Sequence, residues 1–239
     1  MPTQYTVQFI SGDYRLTGTL HLPDKLKPAA VVGCHGLLAD RSSPKQIALA
    51  QALNAIGIAY LRFDHRGCGE SQGPLAFKTL LTARCEDLCS AVAFLRNQAN
   101  VGSVIGLFGS SFGGTVVMAA AAECRVPAIA TYAAPIRSHT IGTAAEREIR
   151  AHHAISENET DGFAFDISSR LGRMKNILIM HGTNDEIVPP DHARRIYEAA
   201  QQPKKLILYE NCTHRMTDPD HQRRFIEACA AWFEPYAIA

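Results

Sequence analysis

Short apolar runs bounded by glycine or proline alternate along the chain with longer segments whose apolar positions recur every three or four residues. The first two runs, residues 5–10 (YTVQFI) and 15–22 (RLTGTLHL), flank a Ser-Gly-Asp turn and predict a β-hairpin. Residues 28–36 (PAAVVGCHG) then read as a buried strand, and 43–57 as a helix with Pro44 near its start and Gly57 at its end. The alternation continues with strands over 58–64, 103–110, 128–134, 176–182 and 204–210. Helical periodicity covers 79–98, 112–124, 190–201 and 219–234. This order predicts an α/β fold, a mostly parallel eight-stranded sheet flanked by helices on both faces. Function then collects at the carboxyl ends of the strands.

One stretch breaks the rhythm. Residues 135–175 separate the sixth and seventh strands, far more than the roughly 2–6 residues of a usual connection. Part of it (143–155, TAAEREIRAHHAI) has helical character, and its place after a central strand predicts a lid insertion. It is strongly polar, with Phe163 and Phe165 as aromatic anchors that either line a pocket or pack the lid down, so it does not resemble the apolar flap of a lipase that settles on lipid.

Composition narrows the class. The 239 residues suit one domain, and 46% hydrophobic with 20% charged residues is ordinary for a globular protein. A formal net charge of +1, without a basic stripe, gives no reason to expect a nucleic-acid or membrane partner. The N-terminus lacks a charged segment followed by an apolar one, and seven cysteines without CxxC spacing suggest free thiols; both point to the cytoplasm. Cys85 and Cys89, four apart on one helix, read as small buried hydrophobes.

The chemistry begins at Gly109-Ser110-Ser111-Phe112-Gly113, between an apolar strand and a small-residue helix. A nucleophile on a sharp strand-to-helix turn needs small residues two before and two after it. For Ser111 these are Gly109 and Gly113; for Ser110 they are Phe108 and Phe112, which the turn cannot hold. Ser111 is therefore the candidate nucleophile. A serine hydroxyl needs a base in reach and an acid to orient that base.

Asp185, three residues past the strand-ending Gly182, is the candidate acid; adjacent Glu186 is its rival. His214, on the loop after the last strand, is the candidate base. His181 ends its strand too close to the acid's loop, His221 lies inside the last helix, and His139, His152 and His153 belong to the insertion. Oxyanion donors are expected from the backbone N–H groups of Phe112 and of Leu37, which follows His35-Gly36.

Together these residues resemble the α/β-hydrolase superfamily over nearly the whole chain. The likeness rests on His35-Gly36, on 64–71 (DHRGCGES), on Gly109–Gly113, on 181–185 (HGTND) and on His214, in that order. The 64–71 segment resembles that of serine-aminopeptidase-like and cinnamoyl-esterase-like members with small lids. Its glycines permit a tight turn, and Arg66 can pair with Asp64 or Asp87; the segment reads as scaffold. Relatives that act on haloalkanes or epoxides carry an aspartate at the corner, and dienelactone hydrolases a cysteine, so Ser111 implies an ester, thioester or amide target.

The resemblance implies a carboxylesterase acting on small to medium esters through an acyl-enzyme, without cofactor or metal. An aminopeptidase or acyl-peptide hydrolase is the rival. It requires acidic residues at the site, for which Glu146, Glu148, Glu157 and Glu159 are candidates. A non-catalytic ligand-binding module is the reading from another class.

Overall fold

A two-residue turn that Gly12 enters at φ +56° closes the hairpin. Its strands β1 (Thr3–Ser11) and β2 (Tyr14–Leu22) pair antiparallel from Thr3↔Leu22 to Ser11↔Tyr14. The computed structural model describes residues 3–138 and 163–238. After the hairpin come β3 (Ala30–Cys34), α1 (Pro44–Ala55), β4 (Ala59–Phe63), α2 (Leu80–Arg96), β5 (Val104–Ser110) and α3 (Phe112–Cys124). Then follow β6 (Ala128–Tyr132), β7 (Ile177–Gly182), α4 (Asp191–Ala199), β8 (Lys204–Tyr209) and α5 (Pro219–Ile238).

The strands form one sheet in the order β1-β2-β4-β3-β5-β6-β7-β8. β1 and β2 run antiparallel, β2 pairs antiparallel with β4, and every pair from β4 to β8 is parallel. The expected α/β-hydrolase architecture is the observed one.

Central strands are buried along their length, which is why they read as continuous apolar runs. Leu49, Leu53, Phe225 and Phe233 of α1 and α5 cover one sheet face, and Leu88, Leu95, Val116 and Ile196 of α2, α3 and α4 cover the other. Chain order reverses across β3, which has β4 on one side and β5 on the other. The loops leaving β3 and β5 therefore lie side by side at the crevice where open α/β sheets bind ligands.

Residues 139–162, the centre of the expected lid with its three histidines and four glutamates, lie outside the described residues. The flanks are ordered by contacts of their own: Arg137 bridges Asp166, and Ser138 N–H donates to Phe165 O at 3.0 Å. Phe163 and Phe165 both pack on Phe112, with ring centroids 5.3 and 5.2 Å away. Among the described residues no helix is long and apolar enough to cross a membrane.

Candidate active site

The corner between β5 and α3 is sterically forced. Ser111 has φ +54° and ψ −128°, a conformation that costs a non-glycine residue about 1–3 kcal/mol and persists only where neighbours impose it. Its N–H donates to Tyr132 O at 2.7 Å, and its carbonyl accepts from Gly114 N–H at 2.8 Å. A Cβ on Gly109 would stand 2.2 Å from Gly113 O, and one on Gly113 2.4 Å from Cys34 O. Those contacts are the physical content of the Gly-x-Ser-x-Gly spacing. They put Ser111, not Ser110, at the corner.

Two loops from the far side of the sheet reach this hydroxyl. His214 Nε2 lies 3.1 Å from Ser111 Oγ, and His214 Nδ1 lies 2.8 Å from Asp185 Oδ2 and 3.0 Å from Oδ1. The Asp185 carboxylate is buried and also accepts the Ile187 and Val188 N–H groups at 3.0 and 2.8 Å. Burial by itself would raise its pKa. Hydrogen bonds from His181 and His214, the His214 charge and the Val188 N–H outweigh burial and hold the carboxyl well below the usual range. An anionic acceptor keeps the proton of His214 on Nδ1, so the Nε2 lone pair faces Ser111 Oγ.

Residues that the sequence reading passed over hold these loops. His181 Nε2 donates to Val188 O at 2.8 Å and stands 3.2 Å from Asp185 Oδ2, so a histidine set aside as a base supports the acid instead. Glu186, the rival acid, accepts the His214 backbone N–H at 3.1 Å. Tyr132 Oη donates to Thr213 O at 2.9 Å, and Lys45 Nζ to Arg215 O at 2.6 Å, pinning the His214 loop on both sides.

The loop after β3 passes beside the corner, with a Cβ built on Gly36 only 3.4 Å from Ser111 Cβ. Leu37 follows, and Phe112 opens α3, where the first N–H groups lack helical acceptors and the dipole favours negative charge. Among the described residues neither the Leu37 nor the Phe112 N–H is taken by an acceptor. His35 shapes this loop as expected: Nδ1 donates to Gly36 O at 2.7 Å, and Nε2 accepts the His65 N–H at 3.2 Å. Burial, then the Arg84 and His65 charges, push the His35 pKa well below its ordinary value, so the ring is neutral.

The 64–71 segment resolves the choice between two carboxylates for Arg66. Arg66 Nε donates to Asp87 Oδ1 at 2.8 Å, while Asp64 is taken by the Arg41 guanidinium. Cys89 and Cys124 bring their sulfurs within 3.4 Å between α2 and α3. Among the described residues no group of three His, Cys, Asp or Glu side chains is arranged to hold a metal ion. The assembled site thus pairs a hydroxyl with an imidazole backed by a carboxylate, next to two backbone donors without acceptors among the described residues. It can transfer a proton from the hydroxyl and receive a developing negative charge.

The profile of the α/β-hydrolase fold family matches residues 29–153. The uncharacterized protein YfhR of Salmonella typhi is 28% identical over 197 residues, 78% of this chain and 64% of that protein. Thiohydrolase aneE of Aspergillus aculeatus is 35% identical over 130 residues, 52% of this chain and 39% of the fungal protein. The chain therefore spans less than two thirds of the length of these curated relatives. Among solved structures, the esterase domain of a Rhodothermus marinus protein superposes with a TM-score of 0.74 at 25% identity, over 98% of this chain and 100% of that one.

Proposed function

This chain belongs to the α/β-hydrolase fold family, and from that premise we propose that it is a serine hydrolase cleaving carboxylic esters of small to medium size. Ser111 Oγ attacks the ester carbonyl while His214 Nε2 takes its proton. The Leu37 and Phe112 N–H groups receive the oxyanion, and Asp185 stabilises the imidazolium. Collapse expels the alcohol, protonated by His214, and leaves an acyl group on Ser111. Water activated by the same histidine then releases the acid.

One observation carries this reading: an unbroken hydrogen-bonded chain from a buried carboxylate through His214 to a serine held at positive φ. The likeness to a thiohydrolase adds thioesters to the substrates that the same attack would open. The aminopeptidase alternative depends on Glu146, Glu148, Glu157 and Glu159, all outside the described residues. Seven unpaired thiols support a cytoplasmic setting.

Labelling with a fluorophosphonate, followed by peptide mapping, tests the nucleophile; the adduct is expected on Ser111 and absent from Ser111→Ala. A p-nitrophenyl ester, the matching thioester and an aminoacyl anilide then rank the substrates. Labelling at Ser110, or faster cleavage of the anilide than of the esters, overturns the proposal.

A further inference from the structure

Arg84 places a guanidinium in the middle of the protein. It lies on the buried face of α2, 0% exposed, and among the described residues no carboxylate forms an ion pair with it. The nearby Asp87 carboxylate is occupied by Arg66 at 2.7 Å and faces His65 at 3.4 Å. A buried unpaired guanidinium is expensive to keep, and arginine does not escape by losing its proton.

Its contacts show where the charge is directed. Nη1 donates to Gly36 O at 3.1 Å, Nη2 to Leu37 O at 3.0 Å and to Cys68 Sγ at 3.5 Å. The guanidinium carbon stands 5.3 Å from the centre of the Phe112 ring, in cation–π range. Leu37 and Phe112 are the two residues whose N–H groups the proposed mechanism uses. The link through Gly36 is direct. In a trans peptide the C=O and the next N–H lie in one rigid plane and point opposite ways. The carbonyl that Arg84 grips belongs to the same peptide unit as the Leu37 N–H. Gripping it fixes the plane, and polarising it strengthens that N–H as a donor. His35 Nδ1 takes a second position on the same oxygen at 2.7 Å.

We propose that Arg84 is a positioning residue for the oxyanion hole: it orients and polarises the Gly36–Leu37 peptide from behind and places a desolvated positive charge on the protein side of both donors. This rests on the reading of Ser111 as the nucleophile. The contribution appears only when the substrate oxygen becomes negative, so it belongs to kcat rather than KM.

The test compares a p-nitrophenyl ester with its thionoester, whose sulfur accepts hydrogen bonds poorly, in wild type, Arg84→Met and Arg84→Lys. Arg84→Met is expected to lose about 10- to 100-fold in kcat on the oxygen ester with KM nearly unchanged, and far less on the thionoester. Arg84→Lys keeps the charge but cannot span two carbonyls, and should fall between; it carries the test alone if the methionine variant does not fold. Equal losses on both substrates, or a loss confined to KM, overturn the inference, as does a wild type that does not discriminate between the two substrates. A wild type that hydrolyses no ester and takes no label at Ser111 removes the underlying reading instead.

Discussion

Acid should dismantle this site from beneath, by an amount the buried histidines set. His65 is fully buried, edge-on to the His35 ring at 5.0 Å and to Phe63 at 4.7 Å. Burial, aided by the Arg84 and Arg66 charges and partly offset by Asp87, lowers its pKa from 6.5 to about 4. Between those values the unfolded chain binds a proton that the folded chain refuses, so stability falls as pH falls through this window. At about 1.4 kcal/mol per unit, the gap withdraws about 3 kcal/mol from the fold by pH 4. His192 is lowered to about 4 by burial and then by His181, and His35 lies well below its ordinary value.

His21 is likewise lowered to about 4 by burial and then by Arg62, and four such groups give a slope of about 5 kcal/mol per pH unit near pH 5, against a typical total stability of about 5–15 kcal/mol. Asp87, lowered to about 2 by His65 and Arg66 against the opposing effect of burial, contributes stability that is lost only as pH falls below about 4, so the two windows separate. Urea unfolding at several pH values between about 7.5 and about 4.5, followed by the fluorescence of the single tryptophan, Trp232, measures the slope. His65→Gln should reduce it by about 1.4 kcal/mol per pH unit. Stability that stays flat across this range, or a His65→Gln protein with the wild-type slope, refutes the reasoning.

Three further outcomes test the site. Asp185→Asn removes the anion that keeps the His214 proton on Nδ1, and should lower kcat about 10⁴-fold on a p-nitrophenyl ester while circular dichroism stays native. Tyr132→Phe leaves Thr213 O without its 2.9 Å donor, and should cost about 1–2 kcal/mol in thermal unfolding and lower kcat several-fold at constant KM. Gly113→Ala drives a Cβ to 2.4 Å from Cys34 O, backbone that cannot yield cheaply. It should destabilise the protein by about 3 kcal/mol, read as a lowered Tm, whereas Gly172→Ala, with nothing within 4 Å of its added Cβ, should leave Tm nearly unchanged.

What could be read from the chain, and what could not, follows from the kind of partner each residue has. The corner at Ser111 was legible because steric crowding writes itself into residue type: Gly109 and Gly113 are required by backbone atoms 2.2 and 2.4 Å away. Asp185 and His214 were legible by chain order and strand ends. Arg66 was half legible, since two carboxylates qualified and only the tertiary fold, with Arg41 on Asp64, decides for Asp87. His181 was set aside for lying close to Asp185 in sequence. That closeness is how it works, because the turn between them brings its Nε2 within 3.2 Å of the carboxylate.

Arg84 left a mark that periodicity alone could have flagged. Leu80, Arg84, Asp87, Leu88 and Ala91 share the buried face of α2, so a cation sits in an apolar stripe. The mark did not reveal a role, because the acceptors are the carbonyls of Gly36 and Leu37, and a backbone carbonyl is the same at every position of a sequence. Lys45 and Tyr132, which grip Arg215 O and Thr213 O, are hidden for the same reason. Side chains that act on other side chains leave a pattern of residue types at fixed intervals, whereas side chains that act on backbone leave only their own identity. The proposed reacting groups here are of the first kind and the groups that hold them in place largely of the second, which is why the chemistry was visible before the machinery that aims it.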